Sequence, residues 1–153
     1  MSDTVFDLEG FLPYLLNQAA EAASRGFQDI YRKSYAMTRT QWRVMANLGK
    51  FGAMTARDIC AISHIEKTKV SRAVAALERD GLLARSPSDQ DRRSEILSLT
   101  EAGLAAFAEL GQRAVEYDRS LRERLGAKSS DELDRLLLAI IATRADAEVG
   151  GEE

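Results

Sequence analysis

The 153-residue chain has one cysteine, one histidine, one tryptophan and two prolines. A lone cysteine, Cys60, closes no internal disulfide, which excludes a disulfide-built scaffold. Cys60 and His64 lie four apart, but a zinc site takes three or four such ligands and the chain offers no other Cys or His. No metal and no cofactor are expected. There is no nucleophile pattern around the single His and no glycine-rich phosphate loop, so no catalytic residue is expected and the chain does not read as an enzyme. No apolar run reaches the roughly 18 residues of a membrane span. The first residues are acidic and lack the basic n-region of a signal peptide. The expected location is therefore the cytoplasm, with no membrane partner. Prolines occur only at positions 13 and 87, which leaves the stretch between them free to be largely helical.

What is present fits a globular protein: 45% apolar and 29% charged residues, in a length suited to one domain or one domain with an appended element. The formal charge of −3 weighs weakly against a nucleic-acid partner, but the charge is uneven. Residues 1–31 carry one positive and five negative side chains, residues 32–93 thirteen and six, and residues 94–153 seven and thirteen. A basic middle between acidic ends is the footprint expected of a local phosphate-binding surface.

Apolar residues recur at steps of three and four from Phe11 through Leu15, Ala19, Ala22 and Phe27 to Tyr31, predicting a helix over about 11–36 with Pro13 in its first turn. Thr38 with Gln41 and Thr55 with Asp58 are capping-box patterns that open two further helices. The second of these is short, Ala56 to Ile62, and ends in a turn at Ser63, His64 and Ile65. A longer helix then runs from Glu66 to Asp80, with Val70, Val74 and Leu77 facing inward and Gly81 stopping it. Two short apolar runs, 82–85 and 95–99, flank a polar loop and read as a β-hairpin. A helix from Thr100 to Gly126 follows. Ser129 with Glu132 predicts a third capping box, opening a last helix that carries Leu133, Leu136, Leu137, Ile140 and Ile141. The fold class is mainly α with a small β-hairpin wing. A short helix, a turn and a longer helix form a helix-turn-helix, and a hairpin directly after it makes a winged helix.

Three stretches carry a resemblance to a known family. They are Thr40, Gln41 and Trp42; Lys69 to Val74 leading to Leu77, Glu78, Gly81, Leu82 and Leu83; and Asp91, Arg92 and Arg93 followed by the run from Leu97 to Gly103. In this order and at these spacings the chain resembles the MarR family of bacterial transcriptional regulators over about residues 10–145. The resemblance implies a winged helix-turn-helix DNA-binding lobe plus a helical dimerisation lobe. On that basis residues 1–36 are an N-terminal dimerisation helix and 37–100 the DNA-binding domain. Residues 101–147 are C-terminal dimerisation helices and 148–153 a flexible tail. The implied partners are a double-stranded DNA operator of pseudo-palindromic sequence, a second copy of the chain as a homodimer, and a small-molecule effector, often an aromatic acid, that modulates a repressor.

Site expectations follow. Lys67 and Ser71 share one outward side of the longer helix, as do Thr68 and Arg72. A recognition helix sets its N-terminal side chains at base edges, where Lys and Arg suit guanine. Lys67, Thr68 and Ser71 are expected nearest the bases, with Lys69 and Arg72 nearer phosphates. Asp91 and Arg93 match the family's Asp-x-Arg pair, in which the carboxylate orients the guanidinium toward the minor groove. Arg92 and Arg57 are expected at phosphates, as are Arg39 and Arg43 if they reach the duplex. Tyr14, Tyr31, Arg32, Trp42, Arg43 and Phe107 are candidates to line an effector pocket, with Tyr35 and Phe51 as further aromatics. Cys60 is expected in the core. A second function remains open from the residues alone, a winged-helix protein-interaction module without specific DNA binding; the cations at 67, 69, 72, 92 and 93 on one face are what such a module does not need.

Overall fold

The computed structural model describes residues 4–149. It contains α1 (Leu12–Tyr35), α2 (Arg39–Phe51), β1 (Met54–Thr55), α3 (Ala56–Ser63), α4 (Lys67–Arg79), β2 (Leu83–Pro87), β3 (Glu95–Leu99), α5 (Glu101–Leu125) and α6 (Ala127–Val149). The chain divides into two compact units, one ending at Ala114 and the other beginning at Val115. α5 starts in the first and ends in the second.

In the first unit, local signals place the helix ends. Thr38 Oγ1 accepts from the Gln41 backbone N–H at 3.2 Å while the Gln41 side chain accepts from the Thr38 N–H at 3.2 Å, so both arms of the box at α2 are made. α2 stops at Gly52, whose φ of +84° suits a residue without Cβ. α1 ends at Ala36, a non-glycine residue held at φ 53°, where its N–H donates to Arg32 O at 2.9 Å. The buried stripes of α2 (Val44, Met45, Leu48), α3 (Ile59) and α4 (Val70, Val74, Leu77) lie on helices that pack on β2 and β3, whose Leu83 and Leu97 are buried too. Each such aliphatic side chain contributes about 1.5–3 kcal/mol on burial.

The hairpin is joined by a third strand. The order is β1-β3-β2, all antiparallel, with Met54 opposite Leu97, and the outer ladder runs from Leu83 opposite Leu99 to Pro87 opposite Glu95. β1 is two residues long, too short to show a period in the sequence. β2 also reaches Pro87, two residues past the expected run; as the last residue of an edge strand, proline withdraws no needed N–H.

α1 is tied to α2 by an aromatic cluster and an ion pair. Phe27 meets Tyr31 at 5.6 Å and Trp42 at 5.3 Å between ring centroids, and Tyr31 stacks on Trp42 at 6.1 Å. Arg39 grips Glu21 with two nitrogens, at 2.7 and 3.1 Å. That contact draws the Glu21 carboxyl below its ordinary pKa, chiefly through the hydrogen bond. α1 meets α5 where Tyr35 donates to Glu109 and Arg113 donates to Ser34 Oγ at 2.8 Å.

In the second unit the break between α5 and α6 is Gly126 at φ +85°. α6 begins at once, at Ala127, so the expected capping box at Ser129 does not form. Ser130 lies inside the helix, its N–H donating to Gly126 O at 2.9 Å. Its buried hydroxyl accepts from Arg122 at 3.0 Å, and Arg122 also pairs with Asp118 at 2.8 Å and Asp134 at 2.7 Å. What the local pattern did not reveal is that Gly126 ends α5 and lets α6 start at once, ahead of Ser129. Residues 150–153, read as part of a tail, lie outside the described residues.

Candidate nucleic-acid interface

The turn between α3 and α4 is set by backbone chemistry. His64 takes a left-handed conformation, φ 54°. The α3 end it leaves is satisfied from α2: Arg43 donates to Ser63 O at 2.6 Å and Asn47 donates to the buried Ser63 hydroxyl at 2.9 Å. Arg43 is thereby engaged in fixing the helix-turn-helix angle. At the other end of α3, Thr55 Oγ1 accepts from the Asp58 N–H at 3.1 Å and Asp58 accepts from the Thr55 N–H at 3.0 Å. This box presents Arg57 in the exposed first turn.

α4 differs from these helices. Its N-cap, Glu66, makes no side-chain capping bond. The first N–H groups of a helix have no intrahelical partner, and the positive end of the macrodipole favours an anion there. The surrounding side chains Lys67, Thr68, Lys69, Ser71 and Arg72 are all exposed, while Val70, Ala73, Val74 and Leu77 are buried.

The hairpin tip is organised by two short side chains. Ser88 Oγ accepts from the N–H groups of Gln90 at 3.3 Å and Asp91 at 3.4 Å. Asp91 accepts from the Arg93 backbone N–H at 2.9 Å and from the Ser94 hydroxyl at 3.4 Å. The Asp91 carboxylate thus orients Arg93 through its backbone.

Two hollows flank α4. One, about 370 Å³, is lined by Arg57 of α3, Lys67 of α4, Arg85, Arg92 and Arg93 of the hairpin, and Glu95 among others. The other, about 290 Å³, is lined by Thr38, Thr40 and Gln41 at the start of α2 and by Lys69, Arg72 and Ala73 of α4. Arg57, Lys67, Arg92 and Arg93, far apart in sequence, thus meet on one side of α4, and Lys69 and Arg72 lie on the other. Thr68 and Ser71 are exposed on the helix itself. The sequence predicts no place in the interface for Arg85 or Thr40, and for Gln41 only its part in the capping box. For Arg85 the signal was there: alternation from Leu83 puts it on the same face of β2.

The aromatic candidates have separate surroundings. Tyr31 is only 1% exposed, in the cluster with Trp42. Phe107 packs so closely on Gly49 of α2 that a Cβ there would lie 2.6 Å from its ring. Tyr14 is half-buried and Arg32 exposed. Neither these five nor Arg43 line either hollow beside α4. Cys60, expected in the core, is only half-buried, because the apolar stripe of the short α3 turns on Ile59. Among the described residues no group of three or more His, Cys, Asp or Glu is placed to hold a metal, and no helix is long and apolar enough to cross a membrane.

A helix-turn-helix whose second helix projects polar side chains, followed by a cationic hairpin, defines a winged-helix protein. Known proteins narrow the class. The MarR family's sequence profile matches residues 37–94. The homoprotocatechuate degradative operon repressor of Escherichia coli is 29% identical over 131 residues, 86% of this chain and 88% of that protein. The HTH-type transcriptional regulator FarR of Neisseria gonorrhoeae is 30% identical over 132 residues, 86% of this chain and 89% of its own. Among solved structures, that of NadR in complex with 4-hydroxyphenylacetate superposes with a TM-score of 0.71 at 25% identity, over 100% of this chain and 99% of that one. The chain belongs to the MarR family of transcriptional regulators.

Proposed function

We propose that this regulator represses transcription by binding a pseudo-palindromic operator as a homodimer. α4 enters the major groove with Lys67, Thr68 and Ser71 at the bases, while Lys69 and Arg72 hold phosphates. Arg93, set by Asp91, enters the minor groove, with Arg92 and Arg57 on the backbone. The observation that carries this reading is the hollow in which Arg57, Lys67, Arg92 and Arg93 converge from three elements. Such convergence follows the path of a phosphate backbone and has no use in the core. We take the cytoplasm as its location, the compartment in which a bacterial regulator meets its operator.

Residues 1–36 and 101–147 form the dimerisation lobe in this reading. Each unit supports it by leaving large apolar side chains in water: Val5, Phe6, Leu12 and Leu15 in the first, and Leu133, Leu136, Leu137, Ile140 and Ile141 in the second. The second set recurs at helical spacing along α6, a stripe that a partner helix would cover. The effector we propose is an aromatic carboxylic acid, which accords with the 4-hydroxyphenylacetate bound by NadR and with the degradative operon controlled by the Escherichia coli relative.

The test is operator selection from a random duplex library, followed by affinity measured over a salt series. Wild type should select an inverted repeat and lose affinity steeply with salt. Each phosphate contact removed lowers the log–log slope by about 0.9, so R72A should flatten it by about that amount. R93A should lose affinity mainly at A·T-rich flanks. A chain that selects no sequence, or an R72A variant with the wild-type slope, refutes the reading.

A further inference from the structure

Arg85 stands apart from the other cations of the wing. The ladder sets it opposite Leu97, which is buried, so it lies on the core-facing side of β2 with Leu83. Its guanidinium is shared between two carboxylates. Nε donates to Glu78 Oε2 at 3.2 Å, and Nη1 donates to Glu95 Oε2 at 3.0 Å. Glu78 belongs to the last turn of α4 and Glu95 opens β3. One side chain on β2 therefore ties the recognition helix to both strands of the wing. The guanidinium fork suits this, because its nitrogens point in fixed and different directions, whereas an ammonium offers a single nitrogen.

We propose that Arg85 is a positioning residue, and that the Glu78–Arg85–Glu95 clamp fixes the pitch of the wing against α4. The clamp thereby sets the separation between the base-reading side chains of α4 and Arg92 and Arg93 at the tip. This rests on the DNA-binding reading above. Arg85 lines the same hollow as Arg57, Lys67, Arg92 and Arg93, but two adjacent carboxylates already balance its charge. It is not a phosphate contact. All three side chains are about one-third to one-half exposed, and ion pairs of this kind add little to global stability. The consequence of the clamp is geometric.

Two variants test it, R85K and the double variant E78Q/E95Q, each checked for wild-type helix content. Amide hydrogen exchange is followed in β2 and β3, and affinity is measured for a duplex that wild type selects from a random library and for a shuffled duplex of the same composition. The clamp predicts exchange of β2 and β3 amides about three- to tenfold faster in both variants, on the scale of two part-exposed ion pairs, with α2 unchanged. It predicts that the ratio of selected to shuffled affinity falls by a similar factor. The double variant separates geometry from charge. Were Arg85 a restrained phosphate contact, removing two carboxylates would tighten both duplexes in proportion. Such proportional tightening overturns the proposal. So does unchanged exchange, or faster exchange with an unchanged ratio. If wild type selects no duplex, the DNA-binding reading fails, and the exchange arm alone then decides whether the clamp holds the wing.

Discussion

Gly103 in the first turns of α5 should be the least replaceable glycine of the first unit. A Cβ at this position would sit 2.0 Å from the carbonyl oxygen of Leu82 and 3.2 Å from the Leu99 Cβ. The obstacle is backbone, so no rotamer change relieves it. The same contact zone is knitted by hydrogen bonds. Thr100 N–H donates to Leu82 O at 3.1 Å, the Thr100 hydroxyl donates to Gly81 O at 2.6 Å, and Gly103 N–H donates to Thr100 Oγ1 at 3.0 Å. Gly103→Ala must part helix and hairpin base by about 1 Å, which forfeits a quarter to a half of the local dispersion energy and stretches those bonds. Overpacking costs about 1–3 kcal/mol and often more against backbone, while helix propensity returns about 1 kcal/mol. We expect a net loss of about 2 kcal/mol, or about 4–8 °C in Tm for a chain of this size. Gly111, in the same helix, has nothing within 4 Å of its would-be Cβ. Gly111→Ala should therefore stabilise, by up to about 1 kcal/mol. The assay is urea and thermal unfolding of both variants at one fixed protein concentration. A G103A protein as stable as wild type, or a G111A protein equally damaged, would refute the reasoning, because the two differ only in what surrounds the new methyl.

Three further outcomes are expected. Thr55→Ala removes the cap of α3 and should cost about 1 kcal/mol in urea unfolding; no measurable loss would mean that water or a neighbouring group replaces it. Ala36→Gly relieves a left-handed residue at φ 53° and should stabilise by about 1 kcal/mol, despite the usual penalty of glycine near helices; a destabilised variant would contradict the assigned conformation. Burial holds the Tyr31 phenol above its ordinary value of 10.0, and the hydrogen bond to Glu109 does the same for Tyr35. The folded state then keeps protons that the unfolded chain has released, so stability is full below pH 10 and falls as pH rises toward the folded values. The double variant Y31F/Y35F should flatten that alkaline fall in unfolding curves and remove the late component of a 295 nm titration. A fall of the same steepness would place the effect elsewhere.

The helices were legible because each carried its own signal: period in α1 and α4, and Thr boxes at α2 and α3. The third box failed because α6 starts at Ala127, one residue after Gly126, which puts Ser129 and Glu132 inside the helix rather than at its cap. β1 was invisible because two residues have no periodicity, and its existence depends on β3 lying beside it. The cations of the interface were named from composition and motif, but their division into two hollows was not. Arg85 shows the same limit, since the sequence gives a charge and only the fold supplies its two carboxylates.

The sequence by itself determined the order of the helices and the hairpin, the basic middle of the chain and the family to which it belongs, because caps, periods and charge are local quantities. The tertiary structure decided which cations stand together, which are already paired, and where glycine alone fits. Those outcomes depend on distances between segments remote in the chain, as when Leu82 and Gly103 meet or Glu78 reaches Arg85, and no local pattern encodes them.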